Sequence, residues 1–173
     1  MKNNTPKQNG FSLVELLIVV IILGIIAALA IPNLLAARRS ANEGSAISAL
    51  RTLHGAQATY QTTVGTGDYA GSTGSTADTV GLGQLASAGL IDSRLGSGTK
   101  SGYNFAGAAT LAIPSSGTPP TFYFSANPVS PTGITASGTK RYCVTQQGFI
   151  GADTNNLATV FTFATASTAT PFN

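Results

Sequence analysis

Glu15 is the residue in this sequence whose type and position most demand a chemical explanation. It is a single carboxylate inside a nearly unbroken apolar run, Phe11 to Ile31, which follows a short polar leader carrying Lys2 and Lys7 and ending at Gly10. A carboxylate near the centre of a bilayer costs about 2.5 to 3.5 kcal/mol on insertion scales, so a membrane-length helix that keeps one calls for a partner. In that setting the partner is another charge, and a positive one. The chemistry this points to is charge pairing rather than bond making.

The remaining reactive side chains form no site in the sequence. His54 is the sole histidine and has no acid or thiol three or four residues on, so it reads as a packing or solvent-bridging residue. Asp68, Asp78, Asp92 and Asp153 are scattered over loops, and Gly-x-Gly at Gly65 and Gly81 lacks the strand-to-helix context of a phosphate cradle. No catalytic residue, metal site or cofactor is expected. Cys143 is the only cysteine, so no intrachain disulfide can form, and it reads as a small buried hydrophobe. Charged residues make up 9% of the chain and form no basic stripe, which argues against a nucleic-acid binder. Lys140 and Arg141 read as a solvated turn at a strand start. The formal net charge of +3 includes the two lysines of the leader and says little about partners.

The elements that must hold Glu15 follow from periodicity. As an α-helix, Phe11 to Ile31 rises about 30 Å, the thickness of a hydrocarbon core, and can span a membrane once. Lys2 and Lys7 place the leader in the cytoplasm and the rest outside, although Arg38 and Arg39 beyond the span soften that bias. An ordinary secretory signal cleaved after Ala28-Leu29-Ala30 is an alternative, but the run exceeds a typical apolar core and contains Glu15. A generic transmembrane anchor is another alternative, and it explains neither Gly10-Phe11 nor Glu15. Gly24 and Pro32 punctuate the helix, and Pro32 removes the donor for the carbonyl of Ala28, so a kink is expected there.

Asn33 to about Thr63 continues as an amphipathic helix. Ala46, Leu50, Leu53, Tyr60 and Val64 share one face, and Ser45, Ser48 and Thr52 lie opposite. The helix stops at the glycines after Val64, and Gly71 to Thr76 is loop by composition. Gly83 to Ile91 reads as a short helix docked by Leu82, Leu85 and Leu90. Strands are expected at Gly102–Gly107, Thr121–Ala126, Arg141–Thr145 and Gly148–Ala152, with a hairpin turn at Gln146-Gln147-Gly148. Pro114, Pro119, Pro120, Pro128 and Pro131 fall between or at the ends of these runs. Val160 to Phe163 is expected to add an edge strand before the tail frays. The fold class is thus α+β: a long N-terminal helix, half apolar and half amphipathic, packed on an antiparallel sheet of about four strands. The expected divisions are a leader at 1–10, a membrane or polymerisation helix at 11–34 and a globular domain at 35–173. Within the last, the helix continues over 35–64, a loop and short helix fill 65–99, and the sheet and tail fill 100–173.

Gly10-Phe11-Ser12-Leu13-Val14-Glu15-Leu16 resembles the type III signal sequence of type IV pilins and of the pseudopilins of type II secretion, and the likeness runs on through Gly24, Pro32 and Asn33 to Arg38. It covers about the first 55 residues; beyond them it is a likeness of layout. The resemblance implies that a membrane-embedded prepilin peptidase cuts between Gly10 and Phe11 and methylates the Phe11 amine. It implies a homo-oligomeric helical fibre in which Glu15 of one subunit meets the Phe11 amine of the next, with an inner-membrane assembly platform as partner. It also implies that the segment from Gly24 to Pro32 loses helical order in the fibre. Such a chain lies in membrane lipid as a single-pass inner-membrane protein before assembly and in an extracellular pilus after it, with adhesion, twitching or DNA uptake as roles left open.

The rival within the resemblance is a pseudopilin, a subunit of a short periplasmic fibre in secretion. The chain lacks the Asp-Pro-Trp-Gly-like segment that major pseudopilins often show. Only Asp153 could stand among their calcium-binding carboxylates, so that site is not carried over. The lone Cys143 cannot make the C-terminal disulfide found in many pilins. A membrane-tethered binding module or enzyme is the rival from another class, and it leaves Glu15 unexplained.

Overall fold

The computed structural model describes residues 10–73, 76–111, 117–155 and 160–172. Nearly all of the expected leader, Pro114 and part of the expected loop and tail lie outside them. The chain divides into two compact units, with the boundary between Ala37 and Arg38.

Helix α1 runs from Leu13 to Thr63. In the first unit its apolar residues have no core to enter: from Phe11 to Ile31 the large side chains are 49 to 80% exposed. Pro32 sits inside α1 without ending it, and the Asn33 side chain donates to the Leu29 carbonyl at 3.1 Å beside the position where proline offers no donor.

In the second unit α1 becomes a core element. Ala46, Ile47, Ala49, Leu50, Leu53 and Ala56 are buried, whereas Ser48 and Thr52 are exposed, as the three-to-four residue spacing predicts. Tyr60 is half-buried against the core. Val64, expected on the same face, is 56% exposed. The reason is the stop: the amides of both Val64 and Gly65 return to the Tyr60 carbonyl, and Thr66 and Gly67 take positive φ values of 49° and 105°, so the chain turns away before Val64 can point inward.

Helix α2 spans Val80–Ser87, a few residues earlier than expected, with Leu82 and Leu85 buried and Leu90 half-buried. Gly89, at φ 71°, follows it in a conformation that L residues rarely adopt. The one-turn helix α3, Ser93–Gly96, is capped by Asp92, whose carboxylate accepts from the Leu95 amide at 2.8 Å.

The sheet is an antiparallel meander in sequence order: β1 Thr99–Lys100, β2 Tyr103–Thr110, β3 Thr121–Pro128, β4 Arg141–Thr145, β5 Ile150–Asp153 and β6 Thr170–Pro171. The four central strands are the expected ones, and β1 and β6 add two-residue edges. Gly148, at φ 81°, closes the β4–β5 turn by donating its amide to Thr145 at 2.9 Å. Tyr103, Phe105, Phe122, Phe124, Tyr142, Val144 and Ile150 meet α1 and α2 on one face in the main core. Their alternate neighbours Tyr123 and Cys143 pack with Ala108, Phe161 and Ala166 in a second cluster on the other face.

That second cluster overturns the expected tail strand. Phe161 is buried and its amide donates to Ser125 Oγ at 3.4 Å; Thr162 then caps helix α4, Phe163–Ser167, through a reciprocal bond pair with Thr165. The tail makes its edge strand only afterwards, at Thr170–Pro171. Phe161 ahead of α4, and Phe163 and Ala166 within it, pack on Tyr123 and Cys143 instead.

Candidate assembly site

Gly10, Phe11 and Glu15 lie at the start of α1, all exposed. Glu15 falls in the first helical turn, and its Oε2 accepts from the Ser12 amide at 3.3 Å. A helix start leaves its first amides without partners and favours negative charge, so the contact is one the local sequence dictates. Glu15 thereby satisfies one backbone donor of its own chain, and its carboxylate keeps further acceptor capacity. Gly24 has open space where a Cβ would stand, so no neighbour within the chain requires a glycine there. A small residue on an exposed apolar helix is the kind that lets a second helix approach closely.

Within the second unit, polar side chains of α1 that sequence reasoning had not singled out hold the β3–β4 loop and β4. Arg39 donates to the carbonyls of Gly133, Ile134 and Ala136, at 3.2, 2.7 and 3.3 Å, and Asn42 to that of Ser137 at 2.9 Å. Glu43 accepts from the Thr139 amide and hydroxyl at 2.7 and 2.8 Å and from the Tyr142 hydroxyl at 3.2 Å. These three residues continue the buried stripe about two turns towards the N-terminus from Ala46, which is the signal that could have revealed them. Burial first, and the Glu43 charge second, push the Tyr103 and Tyr142 hydroxyls far above their ordinary range, so both stay protonated donors. Fully buried Gln57 uses both ends of its amide on the Ala70 backbone, at 2.6 and 2.8 Å, and so ties the loop after α1 to the helix.

Arg141 is not the solvated residue expected. It is buried, pairs with Asp153 at 2.6 Å and lies over the Phe161 ring at 4.2 Å. Beside it, Ser125 and Asn127 are buried and hydrogen-bonded to each other. His54 packs 5.9 Å from the Phe122 ring, the packing role expected, with its Nε2 3.4 Å from the Gln146 carbonyl. Cys143 is fully buried, and desolvation pushes its thiol up to about 11. Among the described residues no three of the His, Cys, Asp and Glu side chains come together as a metal cluster.

The order of residues at the start of α1, with a glycine, an aromatic and then a carboxylate ahead of an exposed apolar helix, is matched by a family model over residues 5–31. The matching model describes the prokaryotic N-terminal methylation motif. The methylation motif covers a minor part of the chain, and the relatives share little more than it. Type II secretion system core protein G of Escherichia coli K12 is 37% identical over 57 residues, 33% of this chain and 39% of that protein. Type IV major pilin protein PilA of Myxococcus xanthus is 42% identical over 55 residues, 32% of this chain and 25% of that one. Type IV wide pilus major component PilA4 of Thermus thermophilus is 65% identical over 34 residues, 20% of this chain and 26% of its own length. The chain thus spans less than half the length of the relatives it matches. No solved structure matches it. The long helix on an antiparallel sheet is consistent with the pilin fold, and the resemblance read from Gly10 to Arg38 is to pilins and pseudopilins alike.

Proposed function

We propose that the chain is a structural subunit of a type IV pilus. One observation carries the reading: the apolar surface from Phe11 to Ile31 is uncovered in the chain itself, and it bears a methylation motif and one carboxylate. Such a surface needs lipid or other copies of itself to cover it. Both serve in turn. A prepilin peptidase cuts after Gly10 and methylates Phe11 while the helix spans the inner membrane; an assembly platform then transfers the helix into a fibre packed around other such helices.

Glu15 sets the register of that fibre. A subunit docked correctly brings its carboxylate to a neighbour's cationic Phe11 amine and neutralises both, whereas misplacement leaves two charges in an apolar core at a cost of several kcal/mol. The stretch from Gly24 to Pro32 supplies compliance, because proline has already removed one helical hydrogen bond there. The chain itself performs no chemistry in this reading.

A second reading, a type II secretion pseudopilin, is supported by the matches to core protein G from several bacteria. Deleting the gene decides between them. Loss of sheared surface fibres with secretion intact supports the pilus, and loss of secreted enzymes with fibres intact supports the pseudopilin. Loss of neither rejects both.

A further inference from the structure

The loop between β3 and β4 ends in an apolar tip that its own unit does not cover. Ile134 is 78% exposed, and Arg39 holds the loop's carbonyls on both sides of it. The loop is therefore fixed to α1 at the level of Arg39. By sequence, Arg38 and Arg39 come directly after Leu34-Leu35-Ala36-Ala37, which prolongs the apolar run past Pro32 and Asn33. As a helix, Phe11 to Ala37 extends about 40 Å, the thickness of a bilayer with its headgroups. Chain connectivity alone thus brings Arg38, which is exposed, to the outer headgroup layer.

The charge pattern suits that layer. Residues 129–140 contain no acid and end in Lys140, and Glu43, the acid one turn beyond Arg39, is engaged by Thr139 and Tyr142. With Arg39 engaged by the loop, Arg38 is the exposed cation beside the exposed Ile134, a pairing that suits phosphate above an acyl boundary.

We propose that the β3–β4 loop is a membrane foot: before assembly, Ile134 inserts at the headgroup boundary of the extracytoplasmic leaflet, and Arg38 binds lipid phosphate beside it. The inference rests on the membrane-anchored stage of the reading above. It assigns the extracytoplasmic arginines a task, one pinning the loop and the other holding the lipid. It also means that leaving the membrane requires the foot to lift.

The chain has no tryptophan, so Ile134→Trp installs a single reporter. The full chain is reconstituted in vesicles of mixed anionic and zwitterionic phospholipid, with Val64→Trp, an exposed position just past the far end of α1, as a control in the second unit and Leu23→Trp as a control for the span. The expected result is a blue-shifted Ile134→Trp emission, quenched by lipids brominated near the headgroup several-fold more than Val64→Trp. Adding Arg39→Gln, which frees the loop, should abolish most of that quenching, while Arg38→Lys should preserve it. Equal aqueous quenching of Ile134→Trp and Val64→Trp overturns the proposal. So does a signal shielded in sheared fibres but not in vesicles, which would assign Ile134 to a contact between subunits. If Leu23→Trp is itself not quenched by deeply brominated lipid, the spanning helix fails, and the membrane-anchored reading falls with it.

Discussion

Asp153 and Arg141 face each other across the β4–β5 ladder, and the carboxylate takes two hydrogen bonds from the guanidinium, at 2.6 Å from Nη2 and 3.1 Å from Nε. The Asn155 amide adds a third at 2.8 Å. Bonding to Asn155 first, and to Arg141 second, holds the Asp153 carboxyl below its ordinary value. A depressed carboxylate contributes stability that is present above its unfolded value, about 4, and is lost as the pH falls through the folded one. Asp153→Asn should therefore lower the melting temperature at neutral pH and converge with wild type in strong acid. Because Asp153 is partly exposed, the cost should be about 1 to 2 kcal/mol, or about 3 to 8 °C. Calorimetry at both pH values checks this, and an undiminished difference in acid would show that the charge is not responsible.

The Cys143 thiol, raised to about 11 and roofed by Ala166, should be protonated and inaccessible at neutral pH. A thiol reagent should label the native chain slowly and the denatured chain at once. Ala166→Gly, which thins the roof, should speed native labelling without altering the denatured rate.

Leu53 is fully buried and Ser48 exposed on the opposite side of α1. Leu53→Ala should cost about 2 to 5 kcal/mol and Ser48→Ala well under 1. Melting of the detergent-solubilised chain compares them, and equal effects would reject the assigned core face.

Processing should leave a mature chain that starts at Phe11 with one added methyl. Intact-mass measurement of membrane or fibre material reads this directly, and a start at Ile31 would instead indicate an ordinary signal peptidase. Gly10→Leu should leave full-length precursor in the membrane.

Glu15→Val removes the one acid from the apolar run and with it the bond to the Ser12 amide. Insertion and cleavage should proceed at least as well as in wild type, but fibres should not extend when the mutant is the sole subunit. Normal piliation would leave Glu15 with only its local capping role.

The sequence by itself determined the elements whose cause is local. An apolar run needs no tertiary partner to be visible, and the helical spacing from Ala46 to Leu53 and the short aromatic runs of β2 and β3 are local signals. The carboxylate at Glu15 stood out because one charge in such a run costs more than its surroundings return. Tertiary structure alone decided the second face of the sheet. Arg141 looked like a surface turn because nothing near it in sequence tells that Asp153, twelve residues on, and Phe161, twenty on, will enclose it. The tail looked like a strand because Val160 to Phe163 has strand-forming residues, yet Phe161 turns inward ahead of α4 and packs with Ala166 on Tyr123 and Cys143. Gln57 carries no signal in the sequence, and it acquires a role only because the folded chain brings the Ala70 backbone to both ends of its amide. In each case the outcome depended on which remote groups compete for the same buried space, and burial sets the value of a polar contact only after the chain has closed around it.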